Sequence, residues 1–535
     1  MNPTNRFCLL IAISSSLGLP LSAQETVSLR GVILDSESKS PVPARLYVES
    51  KSGEWHLVES NGGVAIPYDK VRTTSRETHT SLSADPFSVR LAPGTYHLTA
   101  ERGKEYFPAT KTVIIGSEPV NVEIELKRWV KMHEKGWFSG ETHIHRPIKD
   151  LRTLVQCEDL NVALPLTAWV SRAEDTPLKN NRNPEIVPAA RLLEVDETHV
   201  IWPVNTEYEI TSVKGNRHHL GALFVLNQKK PLDLSAPPVK GVAALARKQG
   251  AVLDLDKHNW PWSMMLIPIA QVDLFELTNN HIWRTDFAFS TFFPEYIPEY
   301  MEIEQNDDGF TERGWIDFGF QNYYALLNCG FDIMPSAGTA SGVHPVPLGF
   351  GRVYVKLEEG FDYDDWMTGL KAGRSFVTTG PMLEVTFNGM DSGSDFADVK
   401  SVRVKGEVRS LDPLDTVEVI VNGEVAATCQ PSGEKTDGGD YFLTIDETVP
   451  VESSSWIAVR AFARQKGDRP RFAHSAPVHV KVDDQPIAPK RIEVEYLIKR
   501  VSDEIERHEG VLSKEAVAEF REAEAFYQSL LQSAR

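Results

Sequence analysis

The chain has 535 residues, and at roughly 150 residues per domain that is length for about three or four units rather than one core. With 41% hydrophobic and 24% charged residues it is composed like a folded protein, which excludes wholesale disorder. A formal charge of -19 opposes phosphate backbones and anionic headgroups, so nucleic acid and acidic membrane are excluded as main partners, while a local basic pocket remains open.

Residues 1–23 open with Arg6, the apolar run Phe7-Cys-Leu-Leu-Ile-Ala-Ile and small residues at Ser22-Ala23. That is the layout of a cleavable export signal, too short for a membrane span, and it predicts a periplasmic or extracellular protein starting near Gln24. No later stretch reaches the length of a transmembrane helix. Without Cys8, the cysteines are Cys157, Cys329 and Cys429, far apart and without a CxxC pair. They allow one disulfide but no disulfide framework and no thiolate zinc site.

From residue 24 to 128 short alternating strands are predicted, among them Val27–Leu34, Ala44–Glu49, Phe87–Leu91 and Thr95–Ala100. Their spacing fits a small β-sandwich. From 129 to 384 apolar strands alternate with helical stretches, as in the helix from Val242 closed by Gly250 and the strands at Ala251–Leu255 and Val272–Leu277. Strand, helix and strand in repeated order predict a largely parallel sheet or barrel, with functional residues at strand C-terminal ends. Short strands return from 385 to 484, predicting a second sandwich. A Pro-containing linker then leads to a helical tail, 485–535, in which Val494, Leu497, Ile498, Val501 and Ile505 share one apolar face. That face must dock on the body or on a protein partner.

The chemistry-bearing residues gather in the central unit. In Gly140-Glu-Thr-His-Ile-His-Arg, residues two apart on a strand share a face, so Glu141, His143 and His145 point one way. Further candidates near strand ends are Glu207, His219, His258, Glu276 and His344, with His281 five residues past Glu276. Nine of the 15 histidines lie between His133 and His344, which supports an imidazole-rich site. Imidazole and carboxylate suit Zn, Mn or Fe, and a site short of one protein ligand leaves room for a water of lowered pKa. A merely packed or solvated strand is the competing reading of the HxH pair. Trp169, Trp202, Trp260, Trp262 and Trp283 stand near these candidates in sequence and suit either a core or an aromatic wall for sugar rings or apolar ligands. Arg284 and Arg374 suit either structural ion pairs or contacts to an anionic substrate. No Gly-rich phosphate loop, GxSxG elbow or HExxH helix is present, so nucleotide-binding, serine-hydrolase and zincin mechanisms have no support.

Two stretches resemble known families. Pro41-Val-Pro-Ala-Arg and Leu91-Ala-Pro-Gly-Thr-Tyr resemble the carboxypeptidase-regulatory-like (prealbumin-like) β-sandwich, which implies a spacer or docking module. Gly136-Trp-Phe-Ser-Gly-Glu-Thr-His-Ile-His, then Glu207, His219 and His258, then Leu326-Leu-Asn-Cys-Gly-Phe-Asp-Ile-Met-Pro-Ser-Ala-Gly and Gly373-Arg-Ser-Phe-Val-Thr-Thr-Gly-Pro, resemble in order the CehA/McbA-type branch of the PHP (polymerase and histidinol phosphatase) metallohydrolases. The resemblance implies a distorted β/α barrel between two β-sandwiches. It also implies metal-dependent hydrolysis of phosphoesters, esters or amides, with a small-molecule or glycan-type substrate. Carried over, His143 and His145 are the opening metal pair, Glu207 a bridging-type carboxylate, and His219 and His258 later ligands. Glu141 and His344 are then candidates for proton transfer, Glu276 and His281 for additional metal or substrate contacts, and Trp169, Trp260, Arg284 and Arg374 for substrate binding.

The chain departs from the family in two places. Thr167-Ala168-Trp169 stands where Thr-Asp-His is usual, and Gly338-Thr-Ala-Ser-Gly-Val-His where Asp-x-His is usual. Lost ligands predict a reduced centre of one or two ions. The alternative is a catalytically reduced scaffold that binds a glycan or protein without turning it over.

Overall fold

The computed structural model describes residues 25–183 and 185–535; the leader expected over residues 1–23 lies outside them. At the N-terminus, a four-stranded sheet (Glu59–Ser60, Phe87–Leu91, Val27–Asp35, Val120–Leu126) and a five-stranded sheet (Ala65–Arg72, Ser75–Leu82, Ala44–Ser50, Gly94–Glu101, Ala109–Ile115) meet face to face. Strand parity builds their common core. In Val120–Leu126 the side chains of Val122, Ile124 and Leu126 are buried, while Asn121, Glu123 and Glu125 are exposed. The buried set joins Leu29, Leu46 and Leu98 between the sheets.

The central region is mixed α/β. One six-stranded sheet takes the order Ala168–Arg172, Thr206–Val213, Asn216–Leu226, Val252–Leu255, Leu274–Thr278, Met334–Ala337. Its last three strands are parallel, whereas Asn216–Leu226 runs antiparallel to both neighbours. The expected helix is Lys240–Lys248, which buries Val242, Ala243 and Ala246. Gly250, at φ +76°, takes the left-handed turn that starts the next strand.

The strand of the HxH pair, Trp137–Ile144, which contains His143 and leads directly into His145, belongs to a different, twelve-stranded sheet. It pairs parallel with Val162–Pro165 and antiparallel with Arg352–Lys356. Among the described residues no continuous ladder closes these sheets into a barrel. They are stitched at one edge instead, where Ala340 N donates to His143 O at 2.8 Å and His145 N donates to Ser341 O at 2.9 Å. The chain leaving Met334–Ala337 therefore straps the six-stranded sheet to the HxH strand.

The twelve-stranded sheet continues past the central region. Ser375–Thr378 pairs with Arg469–Ser475, and the order runs on through Ser455–Gln465, Leu414–Val421 and Glu424–Cys429. A three-stranded sheet (Met382–Phe387, Ser401–Ser410, Tyr441–Pro450) packs against this extension. The boundary drawn at 384 from the sequence thus falls inside a strand, and the C-terminal sandwich shares a sheet with its neighbour.

Two helices, Arg491–His508 and Lys514–Leu530, end the chain. Val494, Leu497 and Val501 are buried in the central core, with Ile498 and Ile505 packed at its edge. Of the two options for the apolar face, body or partner, the body takes it. The helices cover Ser263–Ala270, which is buried nearly all round as a result. Cys157, Cys329 and Cys429 are free thiols. No helix among the described residues is long and apolar enough to cross a membrane.

Candidate metal centre

All eight residues of the HxH strand are buried, a situation that ordinarily selects Val and Ile. Each polar side chain here has been given a partner instead. Glu141 accepts from Thr339 N at 2.8 Å, from the Thr339 hydroxyl and from Gly349 N at 2.6 Å. Thr142, on the opposite face, donates to Asp254 Oδ2 at 3.0 Å. His143 Nδ1 lies 3.0 Å from Glu276 Oε2 and 3.7 Å from Asp256 Oδ1.

The Nδ1 contact sets the tautomer. A proton on Nδ1 donates to Glu276 and leaves the Nε2 lone pair free. That Nε2 faces His145 Nε2 at 3.3 Å, and His145 Nε2 lies 3.2 Å from Glu207 Oε2. Glu207 Oε2 is buried and has no hydrogen-bond donor among the described residues. Two imidazole nitrogens and a bare carboxylate oxygen thus converge. His143, His145 and Glu207 form one grouping, and His143, Asp256 and Glu276 a second, each with its ligand atoms within 4.8 Å of one another. A donor set of two imidazoles and a carboxylate fits zinc or ferrous iron, and Glu207 Oε2 in the first grouping and Asp256 Oδ1 in the second are both left without a hydrogen-bond partner among the described residues.

Burial dominates the ionisation of the centre. It holds the His143 imidazole well below its ordinary pKa, with His145 and Lys257 adding to the effect. Burial, then the charge of Asp256, raises Glu276 well above the usual carboxylate range. Glu209, two residues along the strand from Glu207, is pushed up to about 7 by burial and by Glu207.

These groups open on a cavity of about 540 Å³. Trp169 forms one wall, its ring 4.7 Å from His145 and 3.9 Å beneath the Arg182 guanidinium, with its indole N–H donating to Glu209 at 3.1 Å. The opposite wall is shared with the N-terminal sandwich. Arg72, at the end of Ala65–Arg72, places Nη1 2.8 Å from His344 Nδ1, and Tyr68 donates to His344 O at 2.5 Å. Because Arg only donates, His344 Nδ1 accepts and its ring proton sits on Nε2.

The structure brings His143, His145, Glu207 and Glu276 together, with Trp169 and His344 on the cavity wall. Other expected residues stand elsewhere. His258 is fully buried against Trp315 and Phe318, at ring separations of 4.7 and 5.1 Å, and belongs to neither grouping. Asp256, two residues earlier and just past the strand Val252–Leu255, takes the place expected of it. His219 lies at the cavity edge and accepts from Arg217 Nε at 2.9 Å rather than facing the centre. Glu141 is tied to Thr339 and Gly349 behind the centre, where burial pushes it up to about 8, and it does not line the cavity.

His281 stacks on Phe289 with ring centroids 3.4 Å apart, which makes it part of the core. Trp260 is buried beside His219 and Lys257 and does not line the cavity. Arg284 pairs with Glu77 at 2.8 Å in the junction with the N-terminal sandwich, a structural ion pair. Arg374 lies by Gly369, also away from the cavity.

Sequence reasoning missed Asp256, Lys257, Glu209 and Arg72. For Asp256 and Lys257 the signal was present, since both follow a strand at its C-terminal end. Glu209 shares a strand face with Glu207. Nothing in the sequence ties Arg72 to a site some seventy residues further on. Comparison of the chain with family models, with curated proteins and with solved structures found no match.

Proposed function

We propose that the chain is an exported metal-dependent hydrolase of the PHP, CehA/McbA type, cleaving a phosphoester, ester or amide in a small-molecule or glycan-type substrate. The convergence of His143 Nε2, His145 Nε2 and Glu207 Oε2 carries this reading. On it, the two central sheets are the halves of a distorted β/α barrel, opened between Pro165 and Ala168. When bound, a divalent ion supplies a water of lowered pKa and polarises the scissile bond.

The chain's own residues supply the rest. Glu276 accepts from His143 Nδ1 and so fixes ring orientation and tautomer. Trp169 packs on the His145 ring and restricts its rotation. Arg72, Arg182 and Arg217 stand around the mouth, where guanidinium groups pair with phosphate or carboxylate oxygens. Glu209, on the cavity wall two residues from Glu207, is placed to take and return a proton, the role first given to Glu141 and His344.

Metal analysis of protein purified without chelators, followed by a hydrolysis screen over phosphomonoesters, phosphodiesters and carboxylic esters with Zn, Mn and Fe, tests the proposal. A stoichiometric ion and a turnover that are both lost in His143→Ala with His145→Ala are expected. Metal-free protein of unchanged stability would leave the non-catalytic binding scaffold as the better account.

A further inference from the structure

We propose that Lys257 is a built-in cation of the centre. Its ammonium pairs with Asp256 and neutralises part of the charge of the grouping that Asp256 forms with Glu276, so that one divalent ion is held by His143, His145 and Glu207 where two adjacent groupings would otherwise hold two. The proposal rests on the metal-centre reading above and says how that centre is charged.

The two groupings share His143 and use its two ring nitrogens in opposite directions. Nε2 faces His145 and Glu207, with no proton to give. Nδ1 faces Glu276 and Asp256. The second grouping already has a cation at hand, because Lys257 Nζ is in ion-pair contact with Asp256 Oδ2. The lysine is 3% exposed, and its ammonium lies 4.8 Å from the centroid of the Trp260 ring. The Trp260 backbone is held in turn, its carbonyl accepting from Arg500 of the helix Arg491–His508 at 3.1 Å. A buried ammonium in contact with both a carboxylate and an aromatic ring has little freedom to leave.

Charge points the same way. Glu207, Glu209, Asp256 and Glu276 crowd one buried region, and the Lys257 ammonium is the neighbouring positive charge acting on Glu209, Asp256 and Glu276 alike. A divalent ion entering between Asp256 and Glu276 would be repelled by that neighbouring ammonium. Among the described residues the first grouping has no lysine or arginine in ion-pair contact with it, whereas in the second the lysine takes Asp256 Oδ2 and leaves Oδ1, like Glu207 Oε2, without a hydrogen-bond partner. The ammonium lines the cavity, so it also offers N–H donors to an anionic substrate oxygen and cannot be removed by a chelator.

The full-length protein, reconstituted with Mn(II) and desalted, is counted by plasma mass spectrometry and examined by electron paramagnetic resonance. One magnetically isolated ion per chain is expected for the wild type and for Lys257→Arg. Lys257→Met is expected to take a second ion and show a spin-coupled pair. Two ions in the wild type would overturn the proposal, as would a folded Lys257→Met that still binds one ion with unchanged affinity. Should Lys257→Met fail to fold, the wild-type count decides alone. No bound ion in the wild type is a separate failure, that of the metal-centre reading itself.

Discussion

Gly338 shows how tightly the centre is built. A Cβ there would stand 2.2 Å from the His143 Cβ and 2.9 Å from Glu276 Oε1, closer than real Cβ atoms approach. Gly338→Ala is therefore expected to displace His143 and lower metal occupancy at saturating protein, read by mass spectrometry. Glu276→Leu removes the acceptor for His143 Nδ1, and a metal affinity about 10- to 100-fold weaker is expected in a competition titration with a chromophoric chelator. Away from the centre, His474 is held neutral. Its Nδ1 lies 2.7 Å from Ser475 O and its Nε2 2.9 Å from the Tyr324 hydroxyl, and burial pushes its pKa down to about 3. Below about pH 6.5 the unfolded chain accepts a proton that the folded chain refuses. Its contribution is thus fully present above that pH and is lost as pH falls toward about 3, by up to about 1.4 kcal/mol per pH unit. Urea unfolding between pH 7 and 4 is expected to show this slope and to flatten in His474→Gln; an unchanged slope would refute the assignment. The HxH pair was legible because strand parity alone puts His143 and His145 on one face. Asp256 was not, because His258 is the more conspicuous ligand type in Asp256-Lys-His, and the turn after Leu255 aims the acid, not the imidazole, at the centre.

At the scale of elements, periodicity carries furthest where one face is apolar. The tail helix Arg491–His508 shows its stripe in sequence, and the stripe is the face that docks. Leu497 is fully buried there; Leu497→Ala is expected to cost about 2 to 5 kcal/mol, measurable by denaturant titration. The strand Ser75–Leu82 is the opposite case. Ser-Arg-Glu-Thr-His-Thr-Ser-Leu carries no apolar alternation, yet seven of its eight residues are buried. The burial is made tolerable by charge pairing across the interface with the central region, where Glu77 accepts from Arg284 at 2.8 Å, and by a hydrogen bond within the sandwich from the Tyr47 hydroxyl at 2.6 Å. Hydropathy cannot find such a strand. It is the partner of Ala65–Arg72, so the hairpin that delivers Tyr68 and Arg72 to the cavity escaped notice with it.

At the scale of the molecule, the N-terminal sandwich is a wall of the cavity and not only a spacer. Arg72→Ala is expected to raise KM several-fold for an anionic substrate while leaving kcat and metal content nearly unchanged, a split that a purely structural role would not give. The order of strand types predicts a sandwich, a mixed α/β region and a second sandwich. What composition does not record is that strands from two of them hydrogen-bond into one sheet, since edge pairing is set by backbone groups that every residue carries alike. Phe376 and Thr378 find their backbone partners in Ser475 and Ala473, about a hundred residues further on. That pairing bears on descent. A recombination event between residues 385 and 455 would deliver Ser375–Thr378 without its companion strand and leave an open apolar edge. A C-terminal sandwich moved to another chain as a cassette would therefore carry an edge that only Ser375–Thr378 covers in this fold.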